Sequence, residues 1–244
     1  MREINSFKKG IHDGLPICFG YLSVAFAFGI FAVASGLTPP QAIIISMTNV
    51  TSAGQLAAVP ILAGGGTLAE LALTQLVINL RYSLMSVSLS QRLGKSVRPA
   101  DRFAIAFVNT DEVFAVATAQ PAAVGRRYLY GLIITPWLGW SIGTAIGALA
   151  GDILPAVVTT ALGIAIYGMF IAIVLPAAKK DRATAACVLL AVALSCLFKF
   201  IPALSAVPGG FVVIICAGVA SAVMAIVCPV DAENTHEEGG HDRE

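Results

Sequence analysis

The stretch FAIAFVNTDEVFAVATAQP, residues 103–121, decides how this chain is read. Both of its flanks are apolar, yet its middle carries Asn109, Thr110, Asp111 and Glu112. The preceding apolar run, TLAELALTQLVINLRYSLMSVSLS (67–90), holds Arg81 near its centre. A charge at bilayer depth costs roughly 2.5–3.5 kcal/mol on insertion scales, so three together cost on the order of 8–10 kcal/mol. A chain rarely carries that cost without a use for it. The three ionisable residues therefore point to a membrane transporter with a polar centre.

Composition agrees with a membrane class. Hydrophobic residues make up 57% of the 244 and charged residues 12%, about half the charged share of a soluble domain. The charges are also segregated, with none between Asp13 and Glu70 and none between Arg127 and Asp152. Runs of 18 or more uncharged apolar residues are candidates for spanning helices, because ~20 residues at ~1.5 Å each match a ~30 Å hydrocarbon core. The net charge of +1 and the lack of a basic patch give no reason to expect nucleic acid. The N-terminal basic residues Arg2, Lys8 and Lys9 precede about 22 apolar residues, longer than a signal-peptide core of ~7–15, so this stretch reads as an uncleaved first span. The five cysteines show no C-x-x-C spacing and read as small buried hydrophobes. No cofactor or metal site is expected, and no phosphate loop or nucleophile motif suggests an enzyme.

Hydropathy gives about eight segments: 14–36, 40–63, 67–90, 103–121, 128–150, 153–177, 183–201 and 205–228. They form a single transmembrane domain over 14–228, between an N-terminal tail (1–13) and an acidic tail (229–244) that is expected to be disordered. Lys and Arg cluster at 2–9, 92–102, 126–127 and 179–182. The positive-inside rule places all four clusters, and with them the N-terminus, in the cytoplasm. Three segments lie between the first and second clusters and one between the second and third, and both numbers are odd. Six full spans plus two broken or re-entrant segments, one entering from each side, remove the conflict. The two are 40–63, interrupted by Asn49, Thr51, Ser52, Gly54 and Gln55, and 103–121. Seven or eight ordinary spans are the alternative. Irregular backbone at membrane depth is tolerated only against protein or a wet cavity, and paired interruptions are the best sequence pointer to a transporter's site. A weak two-half repeat accompanies this layout: Pro39/Pro60 and Pro155/Pro176 have equal spacing, and Leu80-Arg81-Tyr82 matches Phe198-Lys199-Phe200 in offset.

Within 67–90, Gln75, Asn79, Ser83, Ser86 and Ser90 form a polar stripe at helical spacing. Arg81 lies about 200° of helix rotation away from Asn79, at the ~100° per residue that 3.6 residues per turn imply, and lies too deep to reach water. It must pair with Asp111 or Glu112, leaving the other acid to meet solute or titrate. Thr51, Ser52 and Gln55 are read as one helical face of neutral hydrogen-bonding groups, and Asn109 as sharing a face with Glu112. The candidate site is therefore Thr51, Ser52, Gln55, Asn79, Arg81, Asn109, Asp111 and Glu112. Gly139, Gly143, Gly147 and Gly151, four apart, make a flat stripe for close packing against another helix of this chain or a second subunit.

Gly14-Leu15-Pro16, Ala53-Gly54-Gln55, Asn79-Leu80-Arg81-Tyr82 and Thr110-Asp111-Glu112 resemble the AzlC-type branched-chain amino-acid permeases, over segments 1 to 6. The family pattern has His where this chain has Tyr82, so a histidine's part in proton transfer does not carry over. The resemblance implies an exporter of leucine, isoleucine, valine and analogues in the bacterial inner membrane, with a small hydrophobic AzlD-type subunit as partner and protons as candidate coupling ion. A passive channel and a non-transport scaffold are the rival readings. A channel needs no titratable switch, and a scaffold needs no buried charge.

Overall fold

A computed structural model describes residues 3–151 and 181–228 apart from 203 and 205, with isolated positions (157, 168, 171, 174–176, 178 and 179) between. The chain divides into two compact units, Met1–Phe170 and Ile171–Glu244. In the first unit, helix α1 (Phe7–Ala34) starts at Ser6, whose hydroxyl accepts from the Lys9 amide at 3.3 Å. Helix α2 (Pro39–Thr48) opens on two prolines, with Gln41 reaching back to the Thr38 amide at 2.8 Å. Then follow α3 (Ser52–Ala63), α4 (Leu68–Ser90), α5 (Pro99–Phe107), α6 (Asp111–Thr118) and α7 (Arg126–Ala150). The protein is an all-α polytopic membrane protein, and α1 and α7 are long and apolar enough to cross a membrane. Helix α4, with 23 residues, reaches about 34 Å at ~1.5 Å per residue.

Both interrupted segments are broken. Segment 40–63 is two short helices, α2 and α3, joined through Asn49 (φ −138°, ψ 90°) and Thr51 (φ −138°, ψ 115°) in extended backbone. Asn and Thr favour such breaks because their side chains offer local hydrogen bonds that compete with the helix. Segment 103–121 is α5 and α6, joined through 108–110. At 8–12 residues, each half-helix spans about 12–18 Å, roughly half a ~30 Å hydrocarbon core.

A short β-interaction fixes the direction of the second hairpin. Strand β1 (Glu3–Ile4) pairs in parallel with β2 (Ala123–Val124), and Leu93 bridges to Val124. Gly94 donates to the Val124 carbonyl at 2.8 Å and Val124 to the Arg92 carbonyl at 2.9 Å. The Ser96 hydroxyl bonds the Glu3 carboxylate and accepts from the Arg126 amide at 2.9 Å. These strands, only two residues each, are a departure from purely helical structure that the apolar pattern misses. They hold the N-terminus, the loop after α4 and the loop before α7 together, so α5–α6 leaves and returns at one end of the bundle, the basic end. Helices α1 and α7 run parallel from it: Gly139, Gly143 and Gly147 lie against Cys18, Leu22 and Phe26. The hairpin α2–α3 starts and finishes at the opposite end, where Phe28, Ala32, Leu37, Ala42, Val59 and Ala148 form a core cluster. Cysteines placed at Lys95 and Ala122 are therefore expected to react with an impermeant thiol reagent from the same membrane face. Reaction from opposite faces would refute the re-entrant hairpin.

The glycine stripe packs within the chain. Gly139 and Gly143 would each place a Cβ 2.5 Å from a backbone carbonyl of α1, whereas Gly151 meets only ordinary contacts. In the second unit, α8 (Arg182–Phe200) and α9 (Gly209–Val227) form a helical pair, each long and apolar enough to span. Asp181 caps α8; donation from the Thr184 hydroxyl and from the amides of Thr184 and Ala183 holds its carboxyl below the usual range. The expectation of five buried cysteines is corrected: Cys216 is buried, but Cys196 in α8 and Cys228, the residue that ends α9, are exposed. Most of segment 153–177 and the 229–244 tail lie outside the described residues.

Candidate functional site

The two hairpin tips meet. A cavity of about 230 Å³ is lined by Thr48–Thr51 of one tip, Ala106, Phe107, Asn109 and Thr110 of the other, and Asn79 and Tyr82 from the middle of α4. Each tip carries one helix C-terminus (α2, α5) and one N-terminus (α3, α6), so backbone carbonyls and amides freed by the breaks converge there.

Gln75 organises the α4 wall. Its Nε2 donates to the Gly54 carbonyl at 2.8 Å, leaving Oε1 to accept from Asn49 Nδ2 at 3.2 Å and Asn79 Nδ2 at 3.1 Å. The Thr51 hydroxyl donates to Asn49 Oδ1 at 2.9 Å and does not cap α3. Asn109 donates to the Ser86 hydroxyl at 3.2 Å. With their Nδ2 atoms engaged, Asn79 Oδ1 and Asn109 Oδ1 are buried and have no hydrogen-bond partner among the described residues. A buried amide oxygen without a partner costs about 1–3 kcal/mol, and both of these belong to residues of the cavity wall.

The charged residues stand beside the cavity. Arg81 bonds Asp111 at 2.7 Å and the Tyr82 hydroxyl at 2.9 Å, so the partner of Arg81 is Asp111. Both side chains of that pair are about half exposed, 52% and 48%. Glu112 accepts from the Tyr21 hydroxyl of α1, which also lies 2.7 Å from the Thr110 hydroxyl. Tyr21 is braced edge-on by Trp140 of α7, with ring centroids 5.0 Å apart.

Of the eight sequence candidates, the structure brings Thr51, Asn79 and Asn109 to the cavity wall. Arg81, Asp111 and Glu112 flank it, and Ser52 opens α3 next to it. Gln55 does not belong with them. It is fully buried, donates to Ser46 at 2.6 Å, and Ser46 lies 2.6 Å from Thr144 of α7. The shared face expected for Thr51, Ser52 and Gln55 fails because Thr51 precedes the helix in extended backbone. Asn109 fails to share a helical face with Glu112 for the same reason, since α6 begins only at Asp111. Asn49, Gln75, Tyr82 and Tyr21 were missed as site residues. The polar stripe on α4 already contained Gln75, but nothing local distinguishes Tyr21 from an aromatic filler.

A family model described as AzlC protein matches residues 16–154. The chain belongs to the AzlC family. It is 34% identical over 185 residues to the inner membrane protein YgaZ of Escherichia coli K12, covering 72% of this chain and 75% of that protein. An uncharacterized membrane protein of Archaeoglobus fulgidus is 32% identical over 182 residues, covering 74% of this chain and 80% of its own. No solved structure matches. The AzlC match includes both hairpins and all of α7, so the tip cavity lies inside the family region. A multi-pass membrane protein with a role related to membrane transport follows at this level.

Proposed function

We propose that this AzlC-family chain is the transporting subunit of a secondary exporter of leucine, isoleucine, valine and analogues, with the amino acid held in transit between the hairpin tips. The observation that carries this reading is that Asn79 and Asn109 both line the cavity while their Oδ1 atoms are buried and have no hydrogen-bond partner among the described residues. Such acceptors suit an ammonium. The uncapped amides of α3 suit a carboxylate at a helix N-terminus. Val50, Ala106 and Phe107 offer apolar surface to a branched side chain. An apolar wall discriminates among such side chains by only about 1–3 kcal/mol per methylene.

In this reading neutral amides, rather than a carboxylate, receive the ammonium, because both acids already have partners. Glu112, held by Tyr21 across the α1–α6 contact, is the candidate for coupling to a proton gradient. A small AzlD-like subunit completes the exporter in the inner membrane, with the basic end cytoplasmic. The half-exposed Arg81–Asp111 pair and the outward Leu76, Leu80 and Leu84 of α4 support a need for protein cover on that face.

Efflux of preloaded labelled leucine tests the site. Asn79→Leu and Asn109→Leu are expected to lower efflux at least tenfold at unchanged protein level, since a hydrogen bond to a charged group contributes about 1.5–3 kcal/mol. Glu112→Gln should abolish any dependence on the proton gradient. Wild-type efflux from both asparagine variants would exclude the tip cavity as the site.

A further inference from the structure

A second, larger cavity adjoins the first. It measures about 550 Å³ and lies between the C-terminal third of α4 and α5, with Ala106 and Asn109 in its wall as well as in that of the tip cavity. From there it extends past Ser86, Leu89 and Ser90 to Leu93, Pro99 and Arg102 at the basic end. Ala106 and Asn109 thus belong to the walls of both spaces.

Its wall changes character along its length. Next to the tip it carries Ser86, whose hydroxyl holds Asn109. One helical turn on, Ser90 lies on the same face of α4, its hydroxyl bonded to its own helix at Val87. The remaining surface is apolar. At the mouth, the Arg102 guanidinium makes no ion pair or hydrogen bond among the described residues. The adjacent acid, Asp101, is already engaged by the Arg98 amide at 2.9 Å and the Tyr130 hydroxyl at 2.9 Å. A free guanidinium outside a mostly apolar passage with a short polar ladder suits a solute with an anionic end and an apolar side chain.

We infer that this cavity is the route between the basic end and the tip cavity, that Arg102 is a capture site for the solute's carboxylate at its mouth, and that Ala106 is the constriction. The solute class rests on the function proposed above, whereas the route rests on the cavities alone.

The test uses the full chain, with its five cysteines replaced, in right-side-out and inverted vesicles from expressing cells. Ser90→Cys and Ala106→Cys are expected to react with an impermeant methanethiosulfonate from the same face as Lys95→Cys, and from that face only. Reaction from the opposite face, or none while Lys95→Cys reacts, overturns the route. Because this readout needs no transport, it stands even if leucine proves not to be the solute. For the capture site, Arg102→Gln should raise the half-saturating leucine concentration at the basic face roughly three- to tenfold, more than it lowers the maximal rate. Arg102→Lys should recover part of the shift. An unchanged half-saturating concentration in Arg102→Gln overturns the capture role.

Discussion

Arg81→Ala is expected to lower the folded yield of this protein severely, and Asp111→Asn on the same chain to restore much of it. The two charges are 2.7 Å apart across the α4–α6 contact, near the middle of a 23-residue helix. In a membrane-spanning helix at that depth, their half-exposed surfaces are expected to meet hydrocarbon or another protein segment rather than bulk water. Removing one partner therefore leaves a lone charge in an apolar setting, at a cost of about 2.5–3.5 kcal/mol. That is on the order of a hundredfold in the folded ratio and a large share of a typical stability of ~5–15 kcal/mol. The double variant has no stranded charge, so its cost falls to the lost packing and hydrogen bonds. Monodisperse yield in mild detergent, measured for both single variants and the double, gives the coupling directly. Glu112→Gln combined with Arg81→Ala serves as the control and should rescue nothing, because Glu112 bonds Tyr21. Equal rescue by the two acid variants would contradict the pairing.

What the sequence revealed of this architecture follows from where polarity interrupts hydrophobicity. Asn49-Val50-Thr51 and Val108-Asn109-Thr110 are legible as breaks because membrane helices seldom carry such clusters at mid-depth. The basic clusters made the re-entry of 103–121 legible too, since a simple span would have put 92–102 and 126–127 on opposite sides. The neighbours across the bundle were not legible. Gln55 follows the same break as Thr51, but once the chain leaves the extended link its side chain turns toward Ser46 and Thr144, and only the α2–α7 packing decides that. Tyr21 meets Glu112 across 91 positions of chain, a pairing that no local pattern encodes. The glycine stripe announced a close contact without naming the partner, and Gly10, Gly14 and Gly29 on α1 supply the matching surface.

That glycine seam predicts the largest effects of small substitutions. A Cβ at Gly10 would overlap the Tyr128 carbonyl, and one at Gly147 would overlap the Phe26 carbonyl. In both cases the obstacle is backbone, which no rotamer change can move. The two helices would have to separate along their length, losing the contacts that bury Tyr128, Leu129, Leu132 and Trp140. Overpacking against side chains costs about 1–3 kcal/mol, and against two rigid helix backbones the cost should reach the top of that range or exceed it. Gly10→Ala and Gly147→Ala are thus each expected to lower the thermal midpoint in detergent by many degrees, although each adds one methyl and improves helix propensity. Gly20, on the same helix, has nothing within 4 Å of a Cβ. Gly20→Ala should therefore be neutral or stabilising by up to ~1 kcal/mol from propensity alone. The three variants differ from the parent by the same methyl, so their contrast isolates the seam from any general effect of losing a glycine. If Gly10→Ala and Gly147→Ala melt like Gly20→Ala, α1 and α7 are not in backbone contact. Because α7 also carries Trp137, whose indole holds the Met47 carbonyl at the end of α2 at 3.1 Å, a loosened seam should also shift the α2–α3 tip. If the chain exports leucine as proposed, efflux in these variants should fall even in the fraction that stays folded.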